Sequence, residues 1–148
     1  MQKPRVTYEN AAPMAARLTD DDYRKQAEFR HHLRKFLRSS EVNAKAYGLE
    51  PNQYQLLLAI KGLPEDVSPN ITTLAERLQI EQHSAVELVD RSVKKGVVER
   101  YREGADRRKV FLRLTEAGEK MVHEIAIRNR HELLNSLPAF MEFLSNLH

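Results

Sequence analysis

Residues 72–115 read TTLAERLQIEQHSAVELVDRSVKKGVVERYREGADRRKVFLRLT, and the apolar period changes twice along them. Leu74, Ala75 and Leu78 first recur at helical spacing, in a short helix from about Thr72 to Leu78 that Asn70 or Thr72 can cap. The corner Gln79-Ile80-Glu81 follows. A second helix then runs from Gln82 to about Lys95, closed by Gly96, with Lys94 and Lys95 placed against its negative end. Beyond Gly96 the period becomes two. Val98, Arg100 and Arg102 alternate with Val97, Glu99 and Tyr101, and Val110, Leu112 and Leu114 alternate with Phe111 and Arg113. Gly104 supplies the turn between these strands. Helix, tight corner, helix and two-stranded hairpin make a helix-turn-helix with a wing.

Charge gathers on the same stretch. Arg91, Lys94, Lys95, Arg100, Arg102, Arg107, Arg108, Lys109 and Arg113 face only Glu99, Glu103 and Asp106, so residues 91–113 carry +6 on a chain whose net charge is +3. A basic patch on a mildly acidic body suits a polyanionic partner. Charge runs are more often solvated surface; the winged motif that carries this one favours the partner.

Working outward, a long helix is predicted from Thr19 to Tyr47, with Phe29, Leu33, Phe36, Leu37, Ala44 and Tyr47 at spacings of three and four. Thr19 caps it, three aspartates occupy its first turn, and Gly48 ends it. Pro51 opens a further helix to Lys61, apolar on most sides and so buried. Downstream, Thr115 caps a helix that continues to about Asn135, and Pro138 starts a last short one bearing Phe140, Phe143, Leu144 and Leu147. Residues 1–17 have no period and read as an arm. The fold expected is mainly α (α+β). Residues 49–115 form a winged lobe, and 18–48 with 116–148 form flanking helices whose apolar stripes need a second copy to cover them.

The chemistry of each part suits duplex DNA. A major groove about 12 Å wide admits one helix, whose first turns meet base edges. Here those turns hold Gln82, His83, Ser84 and Glu87, with Arg91 one turn on. Arg107, Arg108 and Lys109 lie at the hairpin tip, where guanidinium groups fit a narrow, electronegative minor groove. Asp106 orients an arginine there, because a carboxylate facing phosphate would be repelled.

From Gly48 to Gly118 the sequence resembles the MarR family of bacterial transcription regulators. The matching blocks are Leu74-Ala75-Glu76-Arg77-Leu78, Leu88-Val89-Asp90-Arg91, Lys94 to Arg100, Asp106-Arg107-Arg108 and Leu114-Thr115-Glu116-Ala117-Gly118. The resemblance implies a dimer interlocked through its terminal helices, Asp106 and Arg108 as the wing's acid and minor-groove arginine, and a recognition helix beginning at Gln82. It also implies a small aromatic or anionic effector between the long helices and the lobe, for which Tyr47, Tyr54, Phe29, Phe36, His32 and Arg34 are candidates no better than core residues. Three positions depart from the family pattern. Gln79 stands where glycine is common, so the corner either differs or takes a left-handed residue. Glu50 replaces a better-capping serine or threonine. Ser92 replaces an apolar residue, with Val93 taking over part of its packing.

Other classes fare worse. With no cysteine there is no disulfide, thiolate site or thiol nucleophile. His31, His32, His123 and His131 lack the spacing of a metal motif, so no metal and no cofactor are expected. No phosphate-cradling loop or nucleophile elbow marks an enzyme. No apolar run approaches the ~18 residues of a membrane span, and the first residues lack a secretory signal's apolar middle, so a cytoplasmic protein is expected. The reading is a sequence-specific, DNA-binding transcription regulator: a homodimer on a pseudo-palindromic operator, most simply a ligand-responsive repressor. The alternative is a winged-helix protein–protein module, which would have little use for a cationic wing.

Overall fold

The computed structural model describes residues 17–146. The arm, except Arg17, and Leu147 lie outside that range. Helix α1 (Asp20–Ala46) starts at a reciprocal cap: the Asp22 N–H donates to Thr19 Oγ1 at 3.2 Å, and the Thr19 N–H donates to the Asp22 carboxylate at 2.7 Å. The Thr19 N–H and hydroxyl, both donating to the Asp22 carboxylate, hold that carboxyl below the usual aspartate range. The cap is therefore intact above that range and is lost as pH falls through the lowered value.

Helix α2 (Pro51–Lys61) buries Gln53, Tyr54, Leu56 and Leu57. Its N-cap, Glu50, offers no side-chain cap; instead the Glu50 N–H donates to Gln53 Oε1 at 3.0 Å. Helix α3 (Ile71–Leu78) is capped by Asn70, whose Oδ1 accepts the Thr73 N–H at 2.9 Å, which decides between the two possible caps. The corner then takes the left-handed option: Gln79 has φ 55° and ψ 43°, a conformation that costs a residue with a Cβ about 1 kcal/mol or more. Helix α4 (Gln82–Lys94) buries Ala85, Leu88, Val89 and Ser92 along one stripe. The Ser92 hydroxyl donates to the Leu88 carbonyl at 2.8 Å, which satisfies it inside the core, and Val93 packs against the core beside it.

Strands β1 (Val98–Tyr101) and β2 (Phe111–Leu114) pair antiparallel, Val98 opposite Leu114 and Tyr101 opposite Phe111. The Leu112 N–H donates to the Pro69 carbonyl at 2.8 Å, which ties the hairpin to the connector before α3. Leu49, Leu56, Leu57, Leu74, Val89, Val97, Leu112 and Ile125 fill the core beneath.

One expectation is corrected. Helix α5 is continuous over Glu116–Ser145 with Pro138 inside it, instead of stopping near Asn135 and restarting. Proline's φ is already helical, and its missing N–H deprives only one preceding carbonyl of its bond. The compensation is packing: Phe29 of α1 stacks on Phe143 (centroids 4.7 Å apart) and meets Phe140 edge-on at 5.5 Å, holding the turns beyond Pro138 in line.

Helices α1 and α5 lie antiparallel, for Asn43 meets Asn129 near one end and Phe29 meets Phe143 near the other. Between them Asn129 is buried. Its Nδ2 donates to Ser40 Oγ at 3.0 Å and its Oδ1 accepts from Asn43 Nδ2 at 2.9 Å. Asn129→Leu is expected to cost about 1–2 kcal/mol in urea unfolding, because it strands the buried Ser40 hydroxyl while keeping side-chain volume.

Outside this seam, Leu33, Leu37, Ile127, Leu134, Leu137 and Leu144 are 36–57% exposed. The predicted stripe thus divides. Phe29, Phe140 and Phe143 pack within the chain, while Leu33, Leu37 and Leu144 stay exposed.

Candidate nucleic-acid interface

The inward stripe of α4 turns Gln82, His83, Val86 and Glu87 outward and leaves Ser84 half-buried. Glu81 at the N-cap makes no side-chain bond to the first turn. The helix therefore opens with backbone N–H groups and the positive end of its dipole uncapped by a side chain. Gln82 Nε2 lies 3.5 Å from Thr72 Oγ1, a weak contact that leaves the amide available.

The hairpin tip is built around Asp106. Gly104, with φ 85°, makes the turn that a residue with a Cβ would resist. The Asp106 carboxylate then accepts from the Arg108 backbone N–H at 3.0 Å and from Arg108 Nε at 3.1 Å, with Nη2 at 3.4 Å. Arg108's side chain stays 92% exposed despite this pairing. The same donors hold the Asp106 carboxyl below the usual aspartate range, with Lys109 adding to the effect. The arginine that Asp106 contacts at the tip is thus Arg108.

The other cations divide into two groups. Arg91 Nε donates to Glu50 Oε2 at 3.2 Å, and Arg113 Nε donates to Glu99 Oε1 at 2.7 Å while its guanidinium covers the Tyr101 ring at 4.7 Å. Arg100 pairs with Asp90, Arg102 donates to the Arg107 carbonyl, and Lys95 donates to the Gly48 carbonyl. Among the described residues, Lys94, Arg107 and Lys109 have no such partner. The +6 counted along the sequence is thus partly spent inside the lobe, and what projects is the tip: Arg107, Arg108 and Lys109. Sequence reasoning missed Glu50 and Asp90. Glu50 lies 41 residues from its arginine and Asp90 lies ten from its own, separations with no local period.

The six effector candidates do not line one cavity. Tyr54 is buried in the core, and burial pushes its hydroxyl up from the usual tyrosine value, with Asn129 beside it pulling the other way. Tyr47 is half-buried with the Arg128 guanidinium 5.0 Å from its ring, and Phe29 is taken up by Phe140 and Phe143. His32, Arg34 and Phe36 line an open groove between α1 and α5. Among the described residues, no three of His, Asp or Glu cluster closely enough to hold a metal ion, and no helix is long and apolar enough to cross a membrane.

The sequence model of the MarR family matches residues 47–109, the stretch that contains α2, α3, α4, β1 and the wing tip. No curated protein matches the chain in sequence. Among solved structures, AbsC, a MarR family transcriptional regulator from Streptomyces coelicolor, is 20% identical with a TM-score of 0.69, and 84% of each chain is covered. A MepR mutant from S. aureus bound to an oligodeoxyribonucleotide is 17% identical with a TM-score of 0.59, and 83% of each chain is covered. CouR from Rhodococcus jostii RHA1, bound to p-coumaroyl-CoA, is 19% identical with a TM-score of 0.58, covering 77% of this chain and 86% of that one. At these identities the likeness establishes the fold, a mostly helical winged helix.

Proposed function

Since residues 47–109 place this chain in the MarR family, we propose that it is a homodimeric, sequence-specific DNA-binding regulator, most simply a repressor that occupies a promoter in the cytoplasm. Residues 49–115 are the DNA-binding lobe in this reading, and 18–48 with 116–148 the dimerisation helices. The observation that carries it is the wing tip, where Asp106 orients an arginine that remains almost wholly exposed. A long side chain ordered in advance loses less entropy on meeting a phosphate-lined groove. A surface meant for a protein partner would more naturally present apolar anchors.

Helix α4 enters the major groove with Gln82, His83, Ser84 and Glu87 at base edges, and Arg91 reaches phosphate by exchanging Glu50 for it. Arg107, Arg108 and Lys109 follow the backbone into the adjacent minor groove. The exposed leucines of α1 and α5 bury against a second copy. Two α4 helices then meet successive major grooves, on half-sites about one helical turn apart. The bound oligodeoxyribonucleotide of the MepR mutant supports the DNA partner, and the CoA ester held by CouR supports responsiveness to a small molecule.

Selection of duplexes from a random library, at two salt concentrations, tests this. Enrichment of a pseudo-palindrome with affinity falling steeply in salt is the expected outcome. A library without enrichment even in dilute salt would end the reading and favour a protein-binding role. In the same experiment Gln82→Ala is expected to flatten the preference at one position of each half-site while leaving non-specific affinity within about twofold.

A further inference from the structure

Val86 is the exception on the outward surface of α4. Among the described residues from α3 to β2, it is the one large apolar side chain that is exposed, at 37%. Gln82 and His83 lie one turn before it, Asp90 lies one turn after it, and Glu87 follows it directly. All four are polar and exposed. A single exposed valine elsewhere on a protein needs no explanation. This one stands where the helix meets base edges in the function proposed above, and there its chemistry is restrictive.

A helical side chain leans toward the N-terminus of its own helix, so the Val86 methyls lie over the first turn of α4. β-Branching leaves valine one strongly preferred χ1 in a helix, which fixes those methyls before any partner arrives. The polar groups beside them are not in the way. Asp90 is held by Arg100, and Gln82 has only its weak contact with Thr72.

The base edges in a major groove present hydrogen-bonding atoms almost everywhere. The apolar group that projects among them is the C5-methyl of thymine. A valine pressed against a cytosine amino group or a guanine O6 strips water from a polar atom and returns no hydrogen bond. Against thymine the same contact buries methyl on methyl. The side chain thus favours one base of the four.

We propose that Val86 is a specificity-determining residue that reads the C5-methyl of one thymine in each half-site. The inference rests on the DNA-binding function proposed above and adds a determinant to it.

The test uses the duplex selected from the random library, with its thymines replaced by uracil one symmetric pair at a time. Uracil keeps the base pairing and the groove hydrogen-bonding atoms, and lacks only the methyl. Fluorescence anisotropy with the full chain is expected to find one thymine position whose replacement weakens binding about tenfold over the two half-sites. Val86→Ala should bind the thymine and uracil forms of that position within about twofold of each other, completing a cycle between one side chain and one methyl. Arg108→Ala, altered at the wing, should bind both forms more weakly and keep the full uracil penalty. Wild-type tolerance of uracil at every thymine, or an undiminished penalty in Val86→Ala, overturns the assignment and leaves the regulator standing. A selection that enriches no duplex removes the regulator and this contact together, before any uracil is introduced.

Discussion

Gly118→Ala is expected to lower folding stability by about 2–3 kcal/mol, and Tm by roughly 5–10 °C. Gly118 is buried in the first turn of α5, and a Cβ there would lie 2.0 Å from the Val97 carbonyl oxygen and 3.0 Å from its carbon. The obstacle is backbone, and it is anchored. The Val97 carbonyl accepts the Thr115 N–H at 3.1 Å, and the neighbouring Gly96 carbonyl accepts Thr115 Oγ1 at 2.6 Å. Retreat of Val97 would break the bonds that join the start of the hairpin to the start of α5. Alanine would gain about 1 kcal/mol of helix propensity over glycine, which is smaller than an overpacking cost of about 3 kcal/mol or more. Thermal or urea unfolding decides it, and a wild-type midpoint would mean that helix and strand do not approach this closely.

The second large effect concerns DNA. Arg108→Ala is expected to weaken operator binding by about 2 kcal/mol per wing, and so by about 4 kcal/mol for a dimer that engages two. Folding should be unaffected, since the side chain is 92% exposed. Arg108→Lys should restore only part of the affinity, because an ammonium cannot take the two-pronged hold on Asp106 that a guanidinium does. Asp106, with its carboxyl held below the usual range, is ionised throughout neutral pH. The clamp is complete above that range and fails only as pH falls through the lowered value, so binding between pH 6 and 8 should owe nothing to its titration. Fluorescence anisotropy with the selected duplex measures both affinities. Wild-type affinity in Arg108→Ala would remove the wing from the interface.

The parts of this molecule legible in its sequence are those where one local signal dominates. The stripe of Leu74, Ala75 and Leu78, the alternation through Val98 and Leu112, and the caps at Thr19 and Thr115 each specify an element within a few residues. Local sequence suggests that Asp106 orients a neighbouring arginine; that the arginine is Arg108 comes from the family resemblance. Pro138 was misleading because proline's local preference yields when Phe140 and Phe143 have an aromatic partner 111 and 114 residues upstream. Gly118 could be matched to a pattern but not explained, since the carbonyl that forbids a side chain there belongs to Val97. The same distance-blindness hid Glu50 and Asp90, which take up Arg91 and Arg100. The count of positive charge was right, but a count contains no pairing.

Arg91 and Lys95 deserve to be seen together: both sit on or just after the last turns of α4, and both hold the junction between α1 and α2, one at Glu50 and the other at the Gly48 carbonyl. Two contacts thus tie the C-terminal end of α4 to the elbow that follows α1. If α4 meets bases as proposed, a swivel of α1 would reach them through these two contacts.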